Sequence, residues 1–589
     1  MIYQKLLIPI YLQNLTPLKR GMAKEIISIG GDTETCEGEP ITFQFFSPEL
    51  KLEKIYWLQS GREATKTFFS FLDTLPGSND RQYVIWVHHL EFDMISFFHD
   101  RHAILRGESI EFSYAGWEAK IVYAHVKFAT FTRGARRIML VDTIAYFLTK
   151  LEKLAAMVCP ELPKLAMPDG LGKKRFNILD TRFCEYAMRD SVIAYHAGIQ
   201  ILQMHKDLDV PLCVSAPHFA SRVFRRKFLS APIPLPPRKI VYSALSSYHG
   251  GKNNLTVPPG YYRGIYVLDI RSAYPFAMST FPSFSNPKLY KTLEGSGTPK
   301  ALPQYGIYCI SGAAKKCLYP ALYNHSFKPV SGVFKNVWIT GFELNEALRT
   351  REVKLSHTYG YYYQADKDKM RSPFAAYVNH FFQLKETPSD KIHREFYKLL
   401  LTSLYGKFIQ TRNADLVADL VFDLDDNKLI EDVNLIAGGL FNPFIATLIT
   451  GHTRAYIHRL EHKYKALHTS TDGIFTRIKP KEKLGLGGLS IEAHGDLLLF
   501  RNKLYIFYRK KRPVYDGQIL SSIFPDKEIS KYALHGFHGS LATLESMYKT
   551  GVREYDYIKV NKLRESLRRA LTVNKFESRH SSLKNIGAF

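Results

Sequence analysis

Two short apolar strands in this chain each carry one acid, and that pair limits the fold more than anything else in the sequence. One is Tyr266-Val-Leu-Asp269-Ile270 and the other is Thr469-Ser-Thr-Asp472-Gly-Ile-Phe475. A carboxylate set among buried apolar neighbours needs a partner or a cation. Between them lies Lys398-Leu-Leu-Leu-Thr-Ser-Leu-Tyr-Gly406, a lysine leading along a helix into a Ser-Leu-Tyr-Gly turn. A fold that joins the three segments holds two carboxylates for two divalent cations. It also offers a cation and an aromatic ring for a nucleotide. Nucleotidyl transfer requires that set.

At 589 residues the chain exceeds one hydrophobic core and divides into several domains. Lys and Arg outnumber acids by 80 to 55, a net charge of +25, which favours a polyanionic partner, nucleic acid before membrane. The 36 Tyr and 39 Phe suit base stacking and a large core alike. Six scattered cysteines form no CxxC pair, which points away from zinc and disulfides and towards a reducing compartment; the expected setting is cytoplasmic, or mitochondrial for a plasmid-borne chain. No apolar run is long enough to span a membrane. Residues 1–24 are basic with a short apolar stretch, and read either as a poorly formed leader or as lying ahead of a start at Met22.

Residues 25–205 alternate strands and helices, an α/β pattern with a mixed sheet. Asp32 and Glu34 sit two apart at the end of the first strand, so both face one way. Asp93 follows His88-His89-Leu-Glu-Phe92 at a strand-to-helix turn, and Tyr186 and Asp190 share a face of the closing helix. Four carboxylates and a tyrosine fit two-metal phosphodiester hydrolysis, with the hydroxyl positioning water.

Residues 206–247 include Ala231-Pro-Ile-Pro-Leu-Pro-Pro-Arg238, which reads as a semi-rigid spacer. Tyr248-His-Gly250-Gly251 follows, a loop whose bare backbone can approach a strand of nucleic acid closely. Two helices are expected at 366–386 and 390–407, broken at Thr387-Pro-Ser-Asp390. Phe374, Val378, Phe381 and Leu384 form the stripe of the first; Ile392, Phe396, Leu399 and Ser403 share a face of the second. Arg394 and Lys398, four apart, can reach a triphosphate together.

The ordered set of acids at 32, 34, 93 and 190 resembles the DEDD-type 3′–5′ exonuclease domain, an RNase H-like fold, with His89 where that family usually has Asn. The later segments resemble the YxGG, DxxSLYP, KxxxNSxYG, DTD and KxY motifs of family B DNA polymerases. This chain departs from them with Ala273, Thr402 and Ser470. The resemblance implies an α/β and α+β multidomain fold, an exonuclease domain followed by a right-hand polymerase. It implies metal ligation by Asp269 and Asp472 in one site and by Asp32, Glu34, Asp93 and Asp190 in the other. It implies two Mg²⁺ per site, with Mn²⁺ as substitute. Tyr274 would lie under the sugar and exclude a 2′-hydroxyl; Tyr405 and Gly406 would flank the nascent base pair with Arg394 and Lys398 on the nucleotide. Contacts to DNA would come from Tyr248, Gly250, Gly251, His89, Phe92, Ser403, Lys503 and Tyr505.

Within family B the chain is similar to the protein-primed branch of small phages, adenoviruses and linear plasmids. The resemblance divides it into a leader (1–24), exonuclease domain (25–205), linker (206–247), palm (248–280 and 441–510), a terminal-protein-region-like insertion (281–365), fingers (366–408), a second insertion (409–440), and a thumb with basic tail (511–589). The expected partners are primer-template and single-stranded DNA, dNTPs and a terminal protein, with the enzyme a monomer. The tail 561–589 has seven Lys and Arg against two acids, which suits contact with duplex backbone. A competing expectation is an exonuclease or DNA-binding protein with a degenerate polymerase site, suggested by Ser470 and Thr402.

Overall fold

The computed structural model describes residues 14–18, 25–77, 81–98, 110–123, 127–173, 176–320, 329–365, 372–388, 390–413, 435–481, 483–513, 517–535, 537 and 539–550. The expectations for the basic tail, for most of the leader and for most of the second insertion concern residues outside these. Among the described residues no helix is long and apolar enough to cross a membrane. Cys36, Cys159, Cys184, Cys213 and Cys309 are free thiols.

The amino-terminal third is one eight-stranded sheet. Its strands are β1 (Glu25–Cys36), β2 (Glu39–Ser47), β3 (Leu52–Trp57), β4 (Arg81–Val87), β5 (Ile110–Tyr114), β6 (Trp117–Tyr123), β7 (Lys127–Arg133) and β8 (Arg136–Asp142). Their order is β3-β2-β1-β4-β8-β7-β6-β5. β4 runs parallel to both β1 and β8, so both faces at the centre must be covered. Phe68, Phe71 and Phe97, from two short helices, cover one face. The helix Thr181–Asp207 covers the other so closely that a Cβ on Gly30 would fall 1.9 Å from Ser191 O. β1 runs past the expected strand end to Cys36, which places Asp32 and Glu34 inside the strand rather than at its tip.

Residues 206–247 do not form a spacer. The helices Ala216–Val223 and Arg238–Ser247, with the turn Phe224–Phe228 after the first, bury Phe219, Phe224, Ile240 and Val241 in the core that also holds Phe374, Phe381 and Phe396. The prolines are few against the apolar residues around them, and burial decides the outcome. Leu15 is fully buried in the same core and pairs with Ile233 through reciprocal backbone hydrogen bonds of 3.0 and 2.9 Å.

Beyond this point come β9 (Lys252–Leu255) and β10 (Gly260–Ile270), then β11 (Tyr290–Ser296), β12 (Gly306–Pro320), β13 (Pro329–Thr340) and β14 (Val353–Tyr363). β11 to β14 make a separate antiparallel sheet in the order β11-β14-β12-β13, with the helix Gly341–Arg349 beside it. The two expected helices appear as Pro373–Glu386 and Lys391–Ser403, the second capped by the Asp390 carboxylate on His393 N. Its buried residues are Ile392, Phe396, Leu400 and Leu401; Leu399 and Ser403 are only half-buried, because the packed face is turned past them towards Leu400. The short strands β15 (Thr411–Asn413) and β16 (Leu435–Ala437) pair with each other. The helix Pro443–Tyr464 leads into β17 (His468–Thr471) and β18 (Gly473–Thr476), followed by β19 (Leu489–Arg501), β20 (Leu504–Lys510), β21 (Ile519–Leu520) and β22 (Lys527–Leu534). These join β9 and β10 in a second eight-stranded sheet, β21-β22-β20-β19-β10-β18-β17-β9.

Candidate active site

Asp269 lies one residue from the end of β10, between Leu268 and Ile270, whose side chains point into the core. Strand alternation turns Asp269 to the other face. Asp472 is not part of a continuous strand, as the sequence suggested. It forms the turn of the β17–β18 hairpin, where Thr471 adopts φ 61° and Asp472 N donates to Ser470 O (2.8 Å). The hairpin is docked by register: Gly473 pairs with Asp269, and Ile270 N donates to Asp472 O at 3.2 Å.

A third carboxylate, Glu492, enters from β19. It is the extra residue at a bulge where β19 pairs with Val267 and Leu268 of β10. Burial, then the charges of Asp472 and Glu492, push the Asp269 carboxyl up to about 7. Burial and Glu492 raise Asp472 as well, against its own backbone hydrogen bond. Lys531 of β22 pairs with Glu492 and partly offsets the crowding. A cluster of half-buried carboxyls that resist ionising together fits divalent cations.

The motif around Tyr274 meets the one around Tyr405 directly. The two rings stack with centroids 4.1 Å apart and planes at 18°. Burial raises the hydroxyl pKa of both, with Tyr405, Tyr248 and Asp472 adding to the shift at Tyr274. A Cβ on Gly406 or Gly250 would meet open space, whereas one on Gly251 would sit 2.7 Å from Thr471 Cγ2. The Gly-Gly loop therefore lies flush against the turn that presents Asp472. The buried guanidinium of Arg454 fixes that loop, donating to His249 O (2.6 Å) and Gly250 O (2.8 Å) while forking onto Glu343 at 2.7 and 2.8 Å.

The expected basic pair is split. Lys398 is 59% exposed and meets Glu395 at 3.3 Å. Arg394 is exposed but lies near enough to Lys385 to depress its pKa, after burial and against the pull of Glu386. Lys385, 14% exposed, reaches Ser272 Oγ (3.3 Å), and Arg271 pairs with Glu386 beside it. Thr402 folds its hydroxyl back on Lys398 O (2.9 Å). Lys503 is in the turn between β19 and β20 (φ 57°) rather than on a strand, while Tyr505 is buried on β20 against Phe475 and His468.

In the amino-terminal sheet, oxygens of Asp32, Glu34 and Asp190 lie within 4.8 Å of one another. Asp93 stands apart from this trio: its carboxylate accepts from Thr33 Oγ1 at 2.7 Å, and Thr33 alternates with Asp32 and Glu34 along β1. Its charge still reaches Asp32, whose pKa is raised well above the ordinary range by burial and then by Asp93, Asp190 and Glu34. Glu34 and Asp93 are both raised to about 8, burial leading in each case. Lys164, from the loop before the long helix, pairs with Asp190, donates to Tyr186 Oη (3.4 Å) and lies over the Tyr186 ring. His89 adopts φ 75°, and Asp142 accepts from His89 N (3.0 Å) and Leu90 N (3.2 Å), holding the start of the helix Leu90–Phe97. The His89 and Phe92 side chains are exposed there.

The second eight-stranded sheet thus carries Asp269 and Asp472, and the first, with the helix Thr181–Asp207 over it, carries the Asp32, Glu34 and Asp190 trio, a multidomain α/β and α+β fold with one carboxylate site on each sheet. Residues 179–420 match the family profile "DNA polymerase type B, organellar and viral". A DNA-directed DNA polymerase of Enterobacteria phage PRD1 is 27% identical in an alignment 277 residues long that covers 41% of this chain and 46% of that protein. The chain therefore spans about half the length of that curated relative. Phi29 DNA polymerase bound to primer-template DNA superposes with a TM-score of 0.58 at 16% identity, over 90% of this chain and 94% of that one. The same polymerase with single-stranded DNA gives 0.57 at 15%, over 91% and 95%. The profile describes type B DNA polymerases, the relative is a DNA polymerase, and the solved phi29 polymerase structures share the fold of this chain.

Proposed function

We propose that the chain is a template-directed DNA polymerase that adds dNTPs to a primer 3′-hydroxyl, can start from a hydroxyl on a terminal protein, and proofreads with a 3′–5′ exonuclease, copying a viral or plasmid genome. The observation that carries this reading is the convergence of Asp269 and Asp472, joined through the pairing of Gly473 with Asp269. It is supported by the Tyr274–Tyr405 stack beside them.

Asp269 and Asp472 would hold the cations, with Glu492 between them and Lys531. When bound, two divalent cations activate the attacking hydroxyl and neutralise the departing pyrophosphate. Tyr274 closes the space beneath the nucleotide sugar, and Tyr405 backs it, so a 2′-hydroxyl meets a packed ring. Arg394, Lys385 and Lys398 form the basic side towards which a triphosphate would lie. Tyr248, Gly250 and Gly251 leave bare backbone for the template, and Lys503 and Tyr505 steady the primer end.

In the second site Asp32, Glu34 and Asp190 would hold cations, Asp93 would join them only by leaving Thr33 and otherwise acts through its charge on Asp32, Tyr186 would orient the attacking water, and Lys164 would orient Tyr186. His89 and Phe92, at the exposed helix start, suit an unpaired 3′ end. The domain division follows the same reading: exonuclease 25–205; palm 248–280 and 441–510; insertions 281–365 and 409–440; fingers 366–408; thumb and tail 511–589.

Primer extension with Mg²⁺ and dNTPs tests the proposal on wild type, Asp472→Ala and Asp32→Ala. Asp472→Ala should abolish synthesis, and Asp32→Ala should keep synthesis while losing 3′ trimming. If both variants behave as wild type, the proposal fails.

A further inference from the structure

Lys503, in the turn after β19, has a second cation beside it. Arg501 is the last residue of β19; its Nη2 donates to His535 O at 2.6 Å, and His535 N donates to Lys503 O at 3.0 Å. His535, which follows β22, thus ties both to one spot. Both charges reach its imidazole, whose pKa is lowered by burial, then by Lys503 and by Arg501. No acid balances them: among the described residues no carboxylate pairs with Arg501, Lys503 or His535. Burial lowers the pKa of the Arg501 guanidinium, and its enclosed Nε makes no hydrogen bond. The half-buried cations of β20 and β22 are treated otherwise. Arg509 meets Glu528, Lys527 meets Asp496 and Lys531 meets Glu492. A half-buried guanidinium held only by a carbonyl is costly, and a bound anion removes that cost.

We propose that Arg501 joins Lys503 in gripping one backbone phosphate of the primer strand. The inference rests on the reading of Lys503 as a primer contact and adds a residue which that reading leaves out. Phosphate oxygens suit the planar fork of an arginine and the point charge of a lysine together. Because His535 O already holds Nη2, the guanidinium is oriented before DNA arrives, and binding need not order it. The place fits as well. Lys531, whose ammonium pairs with Glu492 beside the catalytic aspartates, and His535 are four positions apart, about 13 Å along an extended strand. One strand of DNA advances about 3.4 Å per nucleotide, so a primer ending at Asp269 passes Arg501 within its last few phosphates. The competing role for Arg501 is structural: it fastens the end of β22 through the His535 carbonyl and touches no DNA.

Fluorescence anisotropy measures binding of the full chain to a labelled primer-template, without dNTPs or divalent cations, across a range of salt. R501Q keeps an amide donor for the carbonyl but carries no charge. It should bind about tenfold more weakly than wild type. Its plot of log K against log salt should be shallower by about 0.9, the slope of one phosphate contact. R501K keeps the charge and should keep the wild-type slope. Neutral methylphosphonate linkages are then placed singly near the primer end and, in a second arm, in the template strand. Wild type should lose affinity at one primer linkage where R501Q loses nothing more. Equal slopes for wild type and R501Q, or scans that affect both alike everywhere, overturn the proposal and leave the structural role. Interference confined to the template strand overturns it too. The wild-type scan needs no variant, so the absence of any interfering primer linkage decides against the proposal even if R501Q fails to fold. Adding dNTPs and Mg²⁺ to wild type tests the polymerase reading separately, since a chain that binds without extending would still show this pattern.

Discussion

Tyr274 and Tyr405, from two separate sequence motifs, stack face to face at 4.1 Å beside the Asp269–Asp472 pair. Each ring limits where the other can move, and both are largely buried. Tyr274→Val should therefore admit ribonucleotides, raising the rNTP-to-dNTP incorporation ratio by about tenfold or more, which is about 1.4 kcal/mol of lost discrimination. Tyr405→Phe should behave as wild type and Tyr405→Ala should raise the KM for dNTPs. Single-nucleotide insertion kinetics decide it, and an unchanged ratio in Tyr274→Val removes the steric role.

Glu34 carries the clearest pH signature. Its carboxyl ordinarily titrates near 4.5 and is raised to about 8 by burial, then by the charge of Asp190. Between those values the folded chain keeps a proton that the unfolded chain has lost, so stability falls as pH rises. Without divalent cations, the stabilisation of Glu34→Gln over wild type should grow from pH 4.5 to 8, reaching on the order of 2 kcal/mol. Melting curves across that range test it; a pH-independent difference contradicts it.

Removing the Arg454 guanidinium strands the Glu343 carboxylate in the core. Arg454→Met should cost about 3–5 kcal/mol, and Arg454→Met with Glu343→Gln should recover part of that loss. Denaturant titration measures both. Because Arg454 also holds the carbonyls of His249 and Gly250, the double variant should still bind template more weakly than wild type.

Glu492→Gln should lower kcat for synthesis and leave exonuclease trimming unchanged, since its charge acts on Asp269 and Asp472 alone of the two centres. Lys531→Met should raise the Asp269 pKa and move the alkaline rise of synthesis to higher pH, because a neutralising charge is lost. Rate–pH profiles of the two variants separate these effects.

Much of this site could be read from the sequence because the acids interrupt apolar strands and the tyrosines fall at fixed offsets from them. Period alone located β1, β4, the long helix and the pair Pro373–Glu386 and Lys391–Ser403. Glu492 escaped notice because a bulge, invisible in composition, turns it towards Asp269. Lys164 sits in a loop with no periodicity, and its role comes only from tertiary approach to Asp190 and Tyr186. Asp142 and Arg454 act on backbone groups far away in sequence, and single-chain patterning carries no trace of that. The hairpin at Asp472 was missed because Thr471 adopts positive φ without a glycine to announce it.

Leu15 is fully buried in a core built largely of side chains from beyond position 200, and its strand-like partner is Ile233. A chain leaving the ribosome must therefore carry this early hydrophobic residue unsatisfied while more than two hundred further positions are made. Such a contact has a high loop-closure cost, so it belongs among the last to form. The Leu15–Ile233 pairing thus works as a closing latch between segments more than two hundred positions apart.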